Sequence, residues 1–96
     1  MKIYDKALWH IDGGENESEV ITRFKEIFRF LNERDMLNEN GKETLEFAMD
    51  DSVSINSSMV NEKGNDFLEK YYDKVLRKGS NNMWENLLES YNEFLL

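Results

Sequence analysis

The only imidazole in the chain is His10, set in Trp9-His10-Ile11-Asp12 with Glu15 close behind. An imidazole among carboxylates is the raw material of a metal site or of an acid-base pair. The ligand supply decides against the first. Zinc sites draw three or four ligands mainly from His and Cys, and this chain has one His and no Cys. His10 therefore reads as a structural or interface residue. Asp50-Asp51 could face magnesium, but calcium loops need oxygen ligands at alternating positions with a later Glu, and that spacing is missing. The pair reads as a solvated turn. Ser52, Ser54, Ser57 and Ser58 offer hydroxyls, yet His10 would have to serve as their base, so a polar strand face explains them better. No nucleophile elbow, phosphate loop or dinucleotide fingerprint occurs, and Gly13-Gly14 alone implies none. The expectation is a protein without catalytic, cofactor-binding or metal-ligating residues, with a small enzyme as the weakest of the functional readings.

The charge pattern says more. Twenty acidic against twelve basic residues leave a net charge of −8. The excess is local. Asp12, Glu15, Glu17 and Glu19 have no base among them, and the stretch from Glu39 to Asp51 holds five acids against Lys42 alone. Such fields repel phosphates and attract basic partners, besides keeping the protein soluble. Only the segment from Phe67 to Gly79, with Lys70, Lys74, Arg77 and Lys78 against Glu69 and Asp73, is basic. Val60-Asn61-Glu62-Lys63-Gly64 followed by Phe67-Leu68 resembles the capped helix starts of winged-helix nucleic-acid-binding regulators, which makes such a regulator the second reading; charge argues against it, since only these four bases could supply a basic helix face.

The elements that must carry these residues follow from the apolar spacing. At 96 residues, with 40% hydrophobic residues and 12% aromatic ones, the chain is expected to form one globular domain over residues 1–96. The absence of cysteine fits a reducing compartment, and no apolar run near Met1 has the length of a leader or a membrane span, so a cytoplasmic location without a membrane role is expected. Val20, Ile21, Phe24, Ile27, Phe28 and Leu31 recur at spacings of three and four, which predicts a helix over 17–34 capped by Asn16. Leu37-Asn38-Glu39-Asn40-Gly41 and Val60-Asn61-Glu62-Lys63-Gly64 share the chemistry of a capped helix start. The first opens a short helix to about Met49 with Leu45, Ala48 and Met49 inward. The second opens a longer one with Phe67, Leu68, Tyr71, Tyr72, Val75 and Leu76 as its stripe, ending at Arg77-Lys78-Gly79.

A last helix carries Trp84, Leu87, Leu88, Tyr91, Phe94 and Leu95, with Asn82 and Glu85 spaced as a capping box and the terminal Phe94-Leu95-Leu96 docked. Between the second and third helices, Ser52 to Met59 alternates like a strand, and Ala7 to Ile11 is the one partner found for it. The fold class is mainly α, a compact bundle of about four helices with a short two-stranded β patch.

In size, charge and lack of a catalytic set, and in the opening Ala7-Leu8-Trp9-His10-Ile11-Asp12-Gly13-Gly14-Glu15, the chain resembles the small acidic immunity and inhibitor proteins that bacteria encode beside toxins. The resemblance implies a stoichiometric inhibitor that presents carboxylates to a basic protein partner. The residues expected to touch it are Asp12, Glu15, Glu17, Glu19, Asp50 and Asp51, with Phe30, which sits off the stripe of its helix, and Tyr72 as apolar anchors.

Overall fold

The computed structural model describes residues 1–79 and 81–96. Within them the chain forms β1 (Ile3–Lys6), α1 (Ala7–Asp12), α2 (Glu17–Glu33), α3 (Glu39–Glu46), β2 (Ser54–Asn56), a 3-10 turn (Ser57–Met59), α4 (Glu62–Arg77) and α5 (Met83–Phe94). The expected class holds: among the described residues five helices accompany a two-stranded antiparallel sheet, and the short α1 is the helix beyond the expected four.

The helix starts were set by asparagine, as the sequence requires of a chain without proline. Asn16, Asn38 and Asn61 stand in extended backbone, and their side chains accept hydrogen bonds from the amides of Glu19, Gly41 and Gly64 at 2.9–3.1 Å. Each cap is worth about 1 kcal/mol. Asn82 departs from the pattern. It adopts φ 61° and makes no side-chain cap, and the amide of Trp84 donates instead to the Glu26 carboxylate of α2. The start of α5 is thus closed by a neighbouring helix, which the local spacing of Asn82 and Glu85 could not show.

The two similar helix starts pair with each other. Leu37 and Val60 form an antiparallel bridge, the amide of Asn38 donates to the Met59 carbonyl (3.1 Å), and the amide of Asn61 donates to the Met36 carbonyl (3.0 Å). The side-chain amides repeat the exchange, Asn38 to the Ser58 carbonyl (2.8 Å) and Asn61 to the Asp35 carbonyl (2.6 Å). Two copies of Met-apolar-Asn-Glu-x-Gly therefore cross about a local two-fold axis. The glycines make the crossing close: a Cβ at Gly41 would overlap the Met59 carbonyl oxygen, and one at Gly64 would lie 2.5 Å from that of Met36.

The strand pair differs from the expected one. Residues 54–56 are a strand, but the partner is Ile3–Lys6, with Ile3 opposite Asn56, Asp5 opposite Ile55 and Lys6 opposite Ser54, while Ala7 to Ile11 is helical. The inward residue of β1 is Asp5, only 3% exposed. A carboxylate at the buried position hides the alternation by which a strand is read.

A single apolar cluster joins these elements, with Phe24, Ile27, Phe28, Phe30, Phe67, Leu68, Val75 and Leu87 among its buried members. At the chain's end Phe94 packs on Phe67 and Tyr71, whereas Leu95 and Leu96 are exposed, so the expected docking stops at Phe94. Likewise α3 ends at Glu46, three residues early, and Ala48 is exposed while Leu45 and Met49 pack against the core. No helix among the described residues is long and apolar enough to cross a membrane.

Candidate functional site

Asp5 is the centre of a polar network that ties four elements together. Both of its carboxylate oxygens lie 2.8 Å from His10 Nε2, one also accepts from the Tyr72 hydroxyl (2.6 Å), and the other from the backbone amide of Lys6 (2.9 Å). The second ring nitrogen of His10, Nδ1, is 2.9 Å from Glu15, and Glu15 accepts in turn from the Arg23 guanidinium at 2.9 and 3.4 Å. The chain of contacts runs from α4 through β1 and α1 to α2. Gly14, at φ 103°, makes the reversal that places Glu15 over His10, with its amide bonded to the Ile11 carbonyl (3.0 Å). The edge of the His10 ring meets Phe24 in the core, 6.0 Å between centroids.

The geometry fixes what His10 can do. A neutral imidazole carries one N–H and can donate to only one of its two carboxylates, whereas the protonated ring donates to both. With Asp5 and Glu15 on opposite sides, neither nitrogen is turned toward a third group. A cleft of about 190 Å³ opens beside His10, Glu15 and Arg23, with Leu76 and Met83 on its apolar wall. Among its described lining residues there is no hydroxyl or thiol, and no cluster of three or more His, Cys, Asp or Glu among the described residues is arranged to hold a metal ion. The arrangement joins and orients elements of the fold.

Its electrostatics give a pH prediction. Burial pushes the Tyr72 phenol well above its ordinary value near 10, and the neighbouring Asp5 carboxylate adds to the shift. The folded state therefore holds the phenolic proton where the unfolded state releases it. The stability this confers is fully present below pH 10 and is lost as pH rises beyond it. Tyr72→Phe is expected to lower stability at neutral pH by about 1.5–3 kcal/mol, the range for a hydrogen bond to a charged group, and to flatten the alkaline decline. Urea unfolding at neutral pH and above pH 10 checks both parts. At the acid end, the hydrogen bonds from Arg23 hold the Glu15 carboxyl below its ordinary value and His10 acts in the same direction; that contribution is present above the unfolded value and fades as pH falls through the folded one.

The residues expected to meet a partner fall into three groups. Asp12, Glu17 and Glu19 are exposed around the Gly13-Gly14 loop and the first turn of α2, and Asp50 and Asp51 are exposed in the turn before β2. Glu15 lies with the first set but is engaged by Arg23 and His10. Phe30 and Tyr72 are corrections. Phe30 is fully buried and Tyr72 is 2% exposed, so neither can serve as a surface anchor. Phe30 looked peripheral because it leaves the main stripe of α2, but α5 covers that second side: its ring meets Trp84 and Tyr91 edge-on at 5.2 and 5.9 Å, and Arg34 stacks 4.0 Å above it. Tyr72 is drawn inward by Asp5, and its neighbour Tyr71 reaches the rim instead.

A further aromatic is exposed beside the acids. Phe47 is 68% exposed at the end of α3, in the middle of the stretch with five carboxylates. The signal was available in its spacing, since Phe47 falls between Leu45, Ala48 and Met49 and off their shared face. No family model, curated protein or solved structure matches the chain.

Proposed function

We propose that this chain is a protein-binding module, a stoichiometric inhibitor that presents an acidic face to a basic partner in the cytoplasm. The observation that carries the reading is the placement of the carboxylates. Those from Glu39 to Asp51 lie exposed along α3 and the turn after it, and the one salt bridge there among the described residues, Lys42 to Glu39, is long at 3.9 Å. Their field reaches a partner largely undiminished, which favours fast capture, while affinity rests on buried contacts made afterwards.

The surface contrasts with the only basic segment. Two of its four cations, Lys74 and Lys78, pair with Glu93 and Glu89 of α5 at 2.6 Å. That pairing neutralises part of the face a nucleic-acid reader would need, and so weighs against the regulator reading.

The tagged chain, used for affinity capture from its native cell at low and high salt, tests the proposal once the captured protein is identified and purified. A basic partner that is released by salt and loses its activity at one equivalent of this protein is the expected result. A purified partner that keeps full activity at equimolar inhibitor overturns it.

A further inference from the structure

A cleft of about 410 Å³ lies between the C-terminal half of α3 and the segment leading into β2, lined among others by Glu43, Phe47, Met49, Asp50, Val53 and Met59. Its floor is firm. Val53 is buried, and Met49 and Met59 pack against the core from partly exposed positions. Phe47 stands at its rim with a fixed backbone, because its amide closes the last turn of α3 on the Glu43 carbonyl (3.0 Å). The side chain itself is largely exposed at that place. The other exposed large apolar residues are differently placed: Met1, Leu95 and Leu96 are at the chain ends, and Leu8 and Trp9 are on the short α1, with the Lys6 ammonium over the Trp9 ring.

The charge around this apolar spot has one sign. Glu43 and Asp50 line it, and neither they nor the adjoining Glu46 and Asp51 make a salt bridge among the described residues, while Lys42 is turned to Glu39. The Asp50 carboxylate accepts from the amide of Ser52 at 2.9 Å and from its hydroxyl, which sets the turn and keeps the group charged. A purely apolar partner would leave these charges to be desolvated without compensation. A basic segment supplies the compensation.

We infer that this cleft binds a basic polypeptide segment of the partner, which lays one large apolar side chain against Phe47 while flanking Lys or Arg residues pair with Glu43, Glu46 and Asp51. The inference rests on the proposed protein-binding function and assigns it to one end of the molecule. The other acidic region, around Asp12, Glu17 and Glu19, is left as a contributor to the long-range field.

The test uses the full chain and two synthetic peptides of equal positive charge, one with a central Leu-Trp pair and one with Ala-Ala in its place, followed by fluorescence anisotropy. The Leu-Trp peptide is expected to bind more tightly by about tenfold or more, as an anchor filling an apolar site does. Phe47→Ser should remove that advantage while leaving the thermal midpoint unchanged, as befits an exposed ring. Glu43→Gln with Asp51→Asn should flatten the salt dependence. Amide chemical-shift changes should centre on residues 43–54.

Equal binding of the two peptides, or equal binding by Phe47→Ser, would show charge attraction without a cleft and overturn the inference. Shift changes centred on the first turn of α2 would also overturn it while leaving the acidic-face reading standing. Loss of the salt-sensitive native partner, by contrast, strikes at the function itself.

Discussion

Asp5→Ala will cost about 3–5 kcal/mol of folding stability, because it leaves several buried polar groups unpaired at about 1–3 kcal/mol each. For a domain of this size that lowers the melting temperature by on the order of 20 °C. The size follows from what is left behind. With Asp5 gone, His10 Nε2, the Tyr72 hydroxyl and the Lys6 amide all lose their acceptor at once, in a site where Tyr72 is closed to water. Asp5→Asn retains the shape but replaces one acceptor oxygen by a donor that faces donors, so it should recover only part of the loss.

His10→Ala supplies the contrast. It leaves Asp5 bonded to Tyr72 and Lys6, and Glu15 bonded to Arg23, so its cost should be smaller than that of Asp5→Ala. If His10 serves the fold alone, the variant will still bind the partner under conditions where it remains folded. Thermal unfolding of the three variants gives the order, and a stability for Asp5→Ala equal to the wild type would mean that the network adds nothing.

That network also marks where the sequence was and was not legible. Helices α2 and α4 could be read because each has a continuous apolar stripe and an asparagine cap, and both bounds agree with the structure to within a residue. Information of this kind is local. The β1 strand escaped because its inward position is filled by Asp5, whose acceptability depends on His10 five residues on and Tyr72 sixty-seven residues on. Phe30 and Tyr72 were misplaced for the same reason: the surfaces that cover them, α5 and Asp5, come from distant parts of the chain. The acidic positions expected at the partner surface were easier, since exposure is the default for a carboxylate, and of Asp12, Glu15, Glu17, Glu19, Asp50 and Asp51 only Glu15 forms a salt bridge among the described residues. Phe47 was legible in principle, since a helix that turns Leu45, Ala48 and Met49 inward turns Phe47 outward.

The paired helix starts set the other large expected effect. A Gly→Ala change inside a helix ordinarily stabilises it, by roughly 0.4–1 kcal/mol when the backbone conformation suits alanine. At Gly41 and Gly64 the sign should reverse. The new methyl group would come nearest to a carbonyl oxygen of the opposite segment, with the Leu37 or Val60 side chain also in its way, and that carbonyl accepts the Asn38 or Asn61 amide bond that closes the crossing. Relief requires the two segments to separate, which weakens the Leu37–Val60 bridge and both side-chain bonds across it. A cost of about 2–3 kcal/mol for each variant, at the upper end for overpacking, is expected. Because one separation makes room for both methyl groups, Gly41→Ala with Gly64→Ala should cost clearly less than the sum of the two. Urea unfolding of the two single variants and the double variant reads this directly: additive costs would mean that the two glycines act independently, and a gain in stability from either would mean that the segments do not cross as closely as their carbonyls indicate.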